Sequence, residues 1–97
     1  MEIGYVVAPK IMLDEKLPVR FMYREEQTEK DSGWRVFTGF EDHDFVQFSE
    51  NFVICSVQTI LDIDKSIQPY MNAPSGKAFI KVASIWEEVE FPGLLDE

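Results

Sequence analysis

Two periods of apolar and polar alternation run along this chain. Tyr5, Val6, Val7 and Ala8 form a β-branched run that Pro9 stops, and Ile11, Met12 and Leu13 lead from it into a polar turn at Asp14, Glu15 and Lys16. Pro18 opens the next element. There Val19, Phe21 and Tyr23 alternate with Arg20, Met22 and Arg24, a period of two that sets Arg20 and Arg24 on the opposite face of a strand from the first three. Residues 25–31 are wholly polar, and Ser32 and Gly33 supply turn chemistry. A second strand over Trp34–Phe40 puts Trp34, Val36, Thr38 and Phe40 on one side, so the two strands are expected to pair as a long-looped hairpin.

The period then changes. Phe45, Phe48 and Phe52 have helical spacing, with Asp44 as an N-cap. Residues 52–57 are apolar and β-branched enough for a buried strand, whereas Val57, Ile60 and Leu61 can equally form one helical face, and both readings stay open over so short a run. Ile67, Tyr70 and Met71 again have helical spacing behind Asp64 or Ser66 as a cap, which places Pro69 in a first turn, where proline is tolerated. Residues 72–76 break the pattern, residues 77–82 make a last strand, and Trp86 lies just beyond it. The acidic tail, residues 92–97, is expected to fray. There is no repeat, low-complexity tract or linker, so residues 1–97 read as one domain. Strands, then short helices, then a strand predict an α+β fold: a small antiparallel or mixed β-sheet with two short helices packed on one face.

Composition narrows the function classes. With 45% hydrophobic and 13% aromatic residues the chain is too apolar to be disordered. Its net charge of −9 argues against binding DNA or RNA, because neutralising phosphates needs a basic surface. A single cysteine excludes a disulfide framework and any Cys-rich zinc site. No run of apolar residues is long enough to span a membrane, and the start Met1-Glu2-Ile3-Gly4 lacks the basic region of a signal peptide, so a cytoplasmic protein is expected.

Candidate chemistry fails on its own requirements. His43 sits among Glu41, Asp42 and Asp44, but adjacent residues converge poorly on one ion and no second histidine completes a site. Asp62, Asp64 and Ser66 match the first positions of a calcium loop, whose sixth and twelfth positions are here Ile67 and Ala73 instead of glycine and a carboxylate. Cys55 lies in an apolar run that favours burial and an inert thiol. No glycine-rich phosphate loop is present. The expectation is a chain without enzymatic activity, metal or cofactor.

Charge is more informative. No Lys or Arg occurs between Arg35 and Lys65, a stretch that holds Glu41, Asp42, Asp44, Glu50, Asp62 and Asp64, and after Lys81 there are only acids: Glu87, Glu88, Glu90, Asp96 and Glu97. These stretches carry 11 of the 18 acidic residues, leaving 7 acids and 9 bases elsewhere. Such a distribution would steer a basic protein partner, although it also simply keeps a protein soluble.

Arg24-Glu25, then Asp31-Ser32-Gly33-Trp34, Phe37, Gly39 and Glu41-Asp42, resemble the bacterial immunity protein thirty-three family, formerly a domain of unknown function. Asp64, Ser66-Ile67, Pro74 to Gly76, Lys77-Ala78-Phe79 and Trp86 extend the resemblance over about residues 5 to 88. It implies a non-enzymatic protein that binds and neutralises a bacterial toxin, with Arg24, Glu25, Asp31, Ser32, Gly33 and Trp34 as family-motif residues. On this reading Glu41, Asp42, Asp44, Trp86, Glu87 and Glu88 meet the partner. The alternative is a small-ligand-binding or regulatory domain in which Arg24 and Trp34 line a pocket.

Overall fold

A computed structural model describes residues 4–39, 41, 45 and 47–89. Six strands form one mixed sheet: β1 (Tyr5–Pro9), β2 (Phe21–Arg24), β3 (Asp31–Phe37), β4 (Phe52–Ser56), β5 (Ala78–Val82) and β6 (Ile85–Val89). Their order across the sheet is β4-β1-β3-β2-β5-β6. Only β1 and β3 run parallel, and every other neighbouring pair is antiparallel. The expected hairpin of β2 and β3 is present, with Arg24 opposite Trp34 and Phe21 opposite Phe37.

Two helices, α1 (Lys10–Glu15) and α2 (Val57–Ile63), and a 3-10 turn over Lys65–Tyr70 cover one face of this sheet. That face supplies Val6 and Ala8 from β1, Met22 from β2, Trp34 and Val36 from β3, and Phe79 from β5; Met12, Val57, Ile60, Ile67 and Met71 close over them. Trp34 is fully buried, and its Nε1 donates to the Met71 carbonyl at 3.2 Å, so the largest core side chain leaves no polar atom unpaired. The other sheet face carries a second aromatic cluster, in which the rings of Phe21, Tyr23 and Phe37 lie 5.8 to 5.9 Å apart and Phe52 meets Phe37 edge-on at 6.1 Å.

Several expectations change. Residues 52–61 divide between the two readings: the chain is β4 up to Ser56 and α2 from Val57, but β4 is an edge strand with no fully buried residue, not the buried strand expected. Ser56 makes the switch, because its extended backbone ends the strand while its Oγ accepts the Thr59 N–H at 3.1 Å as an N-cap. Phe52 is therefore in a strand and not on a helix with Phe45, although the two rings still meet at 5.5 Å. Asp44 and the tail 92–97 lie outside the described residues. Pro69 occupies the last turn of its 3-10 segment instead of the first, and the cap is Asp64, whose Oδ1 accepts the Ser66 N–H at 3.0 Å. Ser32 and Gly33 are not in the hairpin loop but inside β3, where the β1–β3 register shifts. Two elements were not expected at all, α1 and β6.

Candidate functional site

The family-motif residues divide between the two faces of the hairpin. Arg24, at the end of β2, lies on the helix-covered face and is only 7% exposed. Its guanidinium stands 5.4 Å over the Trp34 ring and donates from Nε to the Ser32 carbonyl at 2.8 Å, from NH1 to the Met71 and Ala73 carbonyls at 3.1 and 2.7 Å, and from NH2 to Gln27 Oε1 at 3.1 Å. Main-chain bonds from Arg24 N–H to the Lys77 carbonyl and from Gly76 N–H to the Arg24 carbonyl complete this staple of the 71–77 loop to the hairpin. Trp34 has no exposed surface and Arg24 spends its donors on carbonyls, so the two line no ligand pocket.

Ser32 is equally internal. Its Oγ donates to the Tyr5 carbonyl at 2.6 Å and accepts the Trp34 N–H at 3.2 Å, tying β1 to the bulged start of β3. Gly33 has φ +89°, and a Cβ there would lie 2.3 Å from the Glu25 carbonyl oxygen. Asp31 Oδ1 accepts the Gly33 N–H at 2.8 Å and so holds that turn of the backbone.

On the other face Asp31 and Arg35 form a two-pronged pair, NH1 to Oδ1 at 3.0 Å and NH2 to Oδ2 at 2.7 Å, with Glu25 Oε1 3.2 Å from the same NH2. The Arg35 hydrogen bond holds the Asp31 carboxyl below its usual pKa, against the opposing pull of burial. Burial, with Glu25 nearby, pushes the Tyr23 phenol up to about 12. From the sequence Arg35 marks only the start of the base-free stretch, with nothing to pair it with Asp31. In a flat strand a partner four residues away would lie about 13 Å off, and only the bulge at Ser32-Gly33 brings Asp31 within reach.

The residues expected to meet a partner are more scattered. Glu41 folds back on its own turn: its Oε2 accepts from both the N–H and the hydroxyl of Thr38, and its Oε1 accepts the Gly39 N–H. Asp42, His43 and Asp44 lie outside the described residues. Trp86 and Glu88 share one face of β6 and Glu87 takes the other. Trp86 is half-buried: its Nε1 donates to Ser66 Oγ at 2.9 Å, its ring lies 5.9 Å from that of Tyr70, and Lys81 Nζ stands 5.1 Å over it. Glu87 and Glu88 are exposed, and Glu88 pairs with Lys77 at 2.8 Å. Glu41 follows β3, three strands from β6 in the sheet order, or about 14 Å at ordinary strand spacing. One polar node was missed. Asp64 Oδ2 takes both the Val19 N–H at 3.0 Å and Lys81 Nζ at 2.7 Å, joining the approach to β2, the 3-10 turn and β5.

Among the described residues, no group of three or more His, Cys, Asp or Glu side chains converges as a metal site, and no buried side-chain N or O atom lacks a partner. Burial pushes the half-buried Cys55 thiol up, away from reactivity. No helix among the described residues is long and apolar enough to cross a membrane.

The family model described as Immunity protein Imm33 domain matches residues 6–90. The chain belongs to this family. No curated protein and no solved structure matches it. Membership in an Imm33 family implies toxin immunity in general, a role that is in general non-catalytic and has a toxin as its partner.

Proposed function

We propose that this Imm33 chain is a non-enzymatic, cytoplasmic immunity protein that binds a basic bacterial toxin and neutralises it by occupying its surface. The observation that carries this reading is the family match over residues 6–90. The base-free stretch between Arg35 and Lys65 supports it as the source of attraction for a basic partner, and so does the net charge of −9, which disfavours nucleic acid. Glu41, Asp42, Asp44, Trp86, Glu87 and Glu88 are the proposed contacts, with charges guiding approach and Trp86 retaining the complex. No metal, cofactor or membrane takes part. The small-ligand alternative loses its proposed pocket, because Arg24 and Trp34 are already satisfied by the protein itself.

The test is co-expression with each neighbouring open reading frame whose product arrests growth when expressed alone. Restored growth, together with a complex of the two purified chains, is the expected outcome. If no such product is neutralised, or if growth returns without a complex, the reading is wrong.

A further inference from the structure

The two edges of the sheet differ in a way that bears on how a partner is held. β6, at one edge, carries Glu87 and Glu88, and charged residues are the usual guard against unwanted strand pairing. β4, at the other edge, reads Phe52-Val53-Ile54-Cys55-Ser56, without a charge, proline or bulge. Ile54 is 60% exposed there.

The direction of the main-chain groups of β4 follows from those of β1. Tyr5 donates its N–H to the Lys30 carbonyl, and its own carbonyl accepts from Ser32, so both groups of Tyr5 point toward β3. Successive residues of a strand alternate, so Val6 and Ala8 turn theirs toward β4, where they face Cys55 and Val53. Phe52 and Ile54 are therefore left with N–H and C=O groups directed outward, and Ser56 with its N–H, since the Ser56 carbonyl, at the N-cap, accepts the first bond of α2. Among the described residues no turn or loop main-chain bond takes up those of Phe52 and Ile54. The strand also lies in the middle of the chain's base-free stretch, with Glu50 before it and Asp62 after it, both exposed.

We infer that the β4 edge is a docking edge, and that it takes an extended, basic segment of the protein partner as a seventh strand, paired through Phe52, Ile54 and Ser56. The inference rests on the partner-binding reading above. Main-chain pairing supplies affinity, the exposed Ile54 side chain meets an apolar residue of the incoming strand, and Lys or Arg residues alternating with it answer the acidic surroundings. A second copy of this chain fits less well, since each copy brings a charge of −9 to a contact only five residues long.

The probe is a blocked heptapeptide of alternating lysine and valine, added to the full chain. The expected result is slowing of amide hydrogen exchange by about tenfold or more at Phe52, Ile54 and Ser56, with β6 unaffected. Ile54→Pro removes an outward donor without touching the β1 ladder, and proline is tolerated at such edge positions. It should weaken the peptide about tenfold. Should that variant fold poorly, Ile54→Lys keeps the backbone and places a repelling charge at the centre of the edge, with the same expected loss. Slowed exchange elsewhere only, or peptide binding unchanged in a folded variant, overturns the inference. A toxin neutralised equally by wild type and Ile54→Pro overturns the docking edge and leaves the immunity reading intact. Peptide binding at β4 with no toxin neutralised does the reverse.

Discussion

Gly33 is the residue on which the motif geometry turns. Its N–H is held by Asp31 and its carbonyl by the Glu25 N–H at 2.7 Å, which forces φ to +89° and brings the Glu25 oxygen to where a Cβ would stand. Gly33→Val should therefore cost about 2–4 kcal/mol, from positive-φ strain plus a clash with main chain that cannot swing away. Urea unfolding would measure it, and an unchanged midpoint would contradict the account. This much could be read from Asp31 and Gly33 alone, since an Asp two residues before a Gly is a local signal. The burial of Arg24 could not. An arginine alternating with strand aromatics reads as solvent-facing, and the Met71 and Ala73 carbonyls that accept from it lie 47 and 49 residues away in sequence.

At the scale of elements, long or strongly patterned segments were readable and short, weakly capped ones were not. The β2–β3 hairpin announced itself through its period of two. α1 did not, because it has only six residues, begins at Pro9 without a side-chain cap and ends at Lys16 with φ 57°. β6 was hidden by its turn: Ala83 and Ser84 both take positive φ, 52° and 70°, with neither the Asn nor the Gly that marks such hairpins. Replacing them by Ala83→Asn with Ser84→Gly should stabilise the domain by about 1 kcal/mol, measured by thermal unfolding, and a loss of stability would argue against this turn. The node at Asp64 makes a further prediction. Burial pushes its carboxyl pKa up, but the hydrogen bonds from Lys81, Ser66 and Val19 outweigh that and hold it below 3.8. A carboxyl whose pKa is depressed by folding stabilises fully above its unfolded value and loses that contribution as pH falls through the folded one. Stability should thus decline below about pH 4, and Asp64→Asn should both lower stability at pH 7 and flatten the acid limb, leaving the part owed to Asp31. An acid limb unchanged in slope would show that the node does not couple to folding.

At the scale of the whole molecule, no buried side-chain polar atom among the described residues lacks a partner, and the acidic residues concentrate in two stretches of the chain. The inner half of the motif, Arg24, Ser32 and Trp34, is buried and holds the fold together, so the proposed recognition falls to the sheet edges and the acidic stretches. Reversing Glu41, Asp42 and Asp44 to Lys should slow toxin association several-fold at low salt and matter little near 1 M. A rate indifferent to both salt and reversal would make the stretch only a solvated surface. Trp86→Ala cannot serve as a clean interface probe, since Trp86 also braces Tyr70, Ser66 and Lys81. The central claim is that protection comes from occupancy and not from chemistry. Titrating a fixed amount of purified toxin with this chain and following residual toxin activity tests that most directly. The account predicts a linear fall that ends at a fixed stoichiometric ratio, independent of incubation time. Complete, time-dependent inactivation by a small fraction of an equivalent would contradict it.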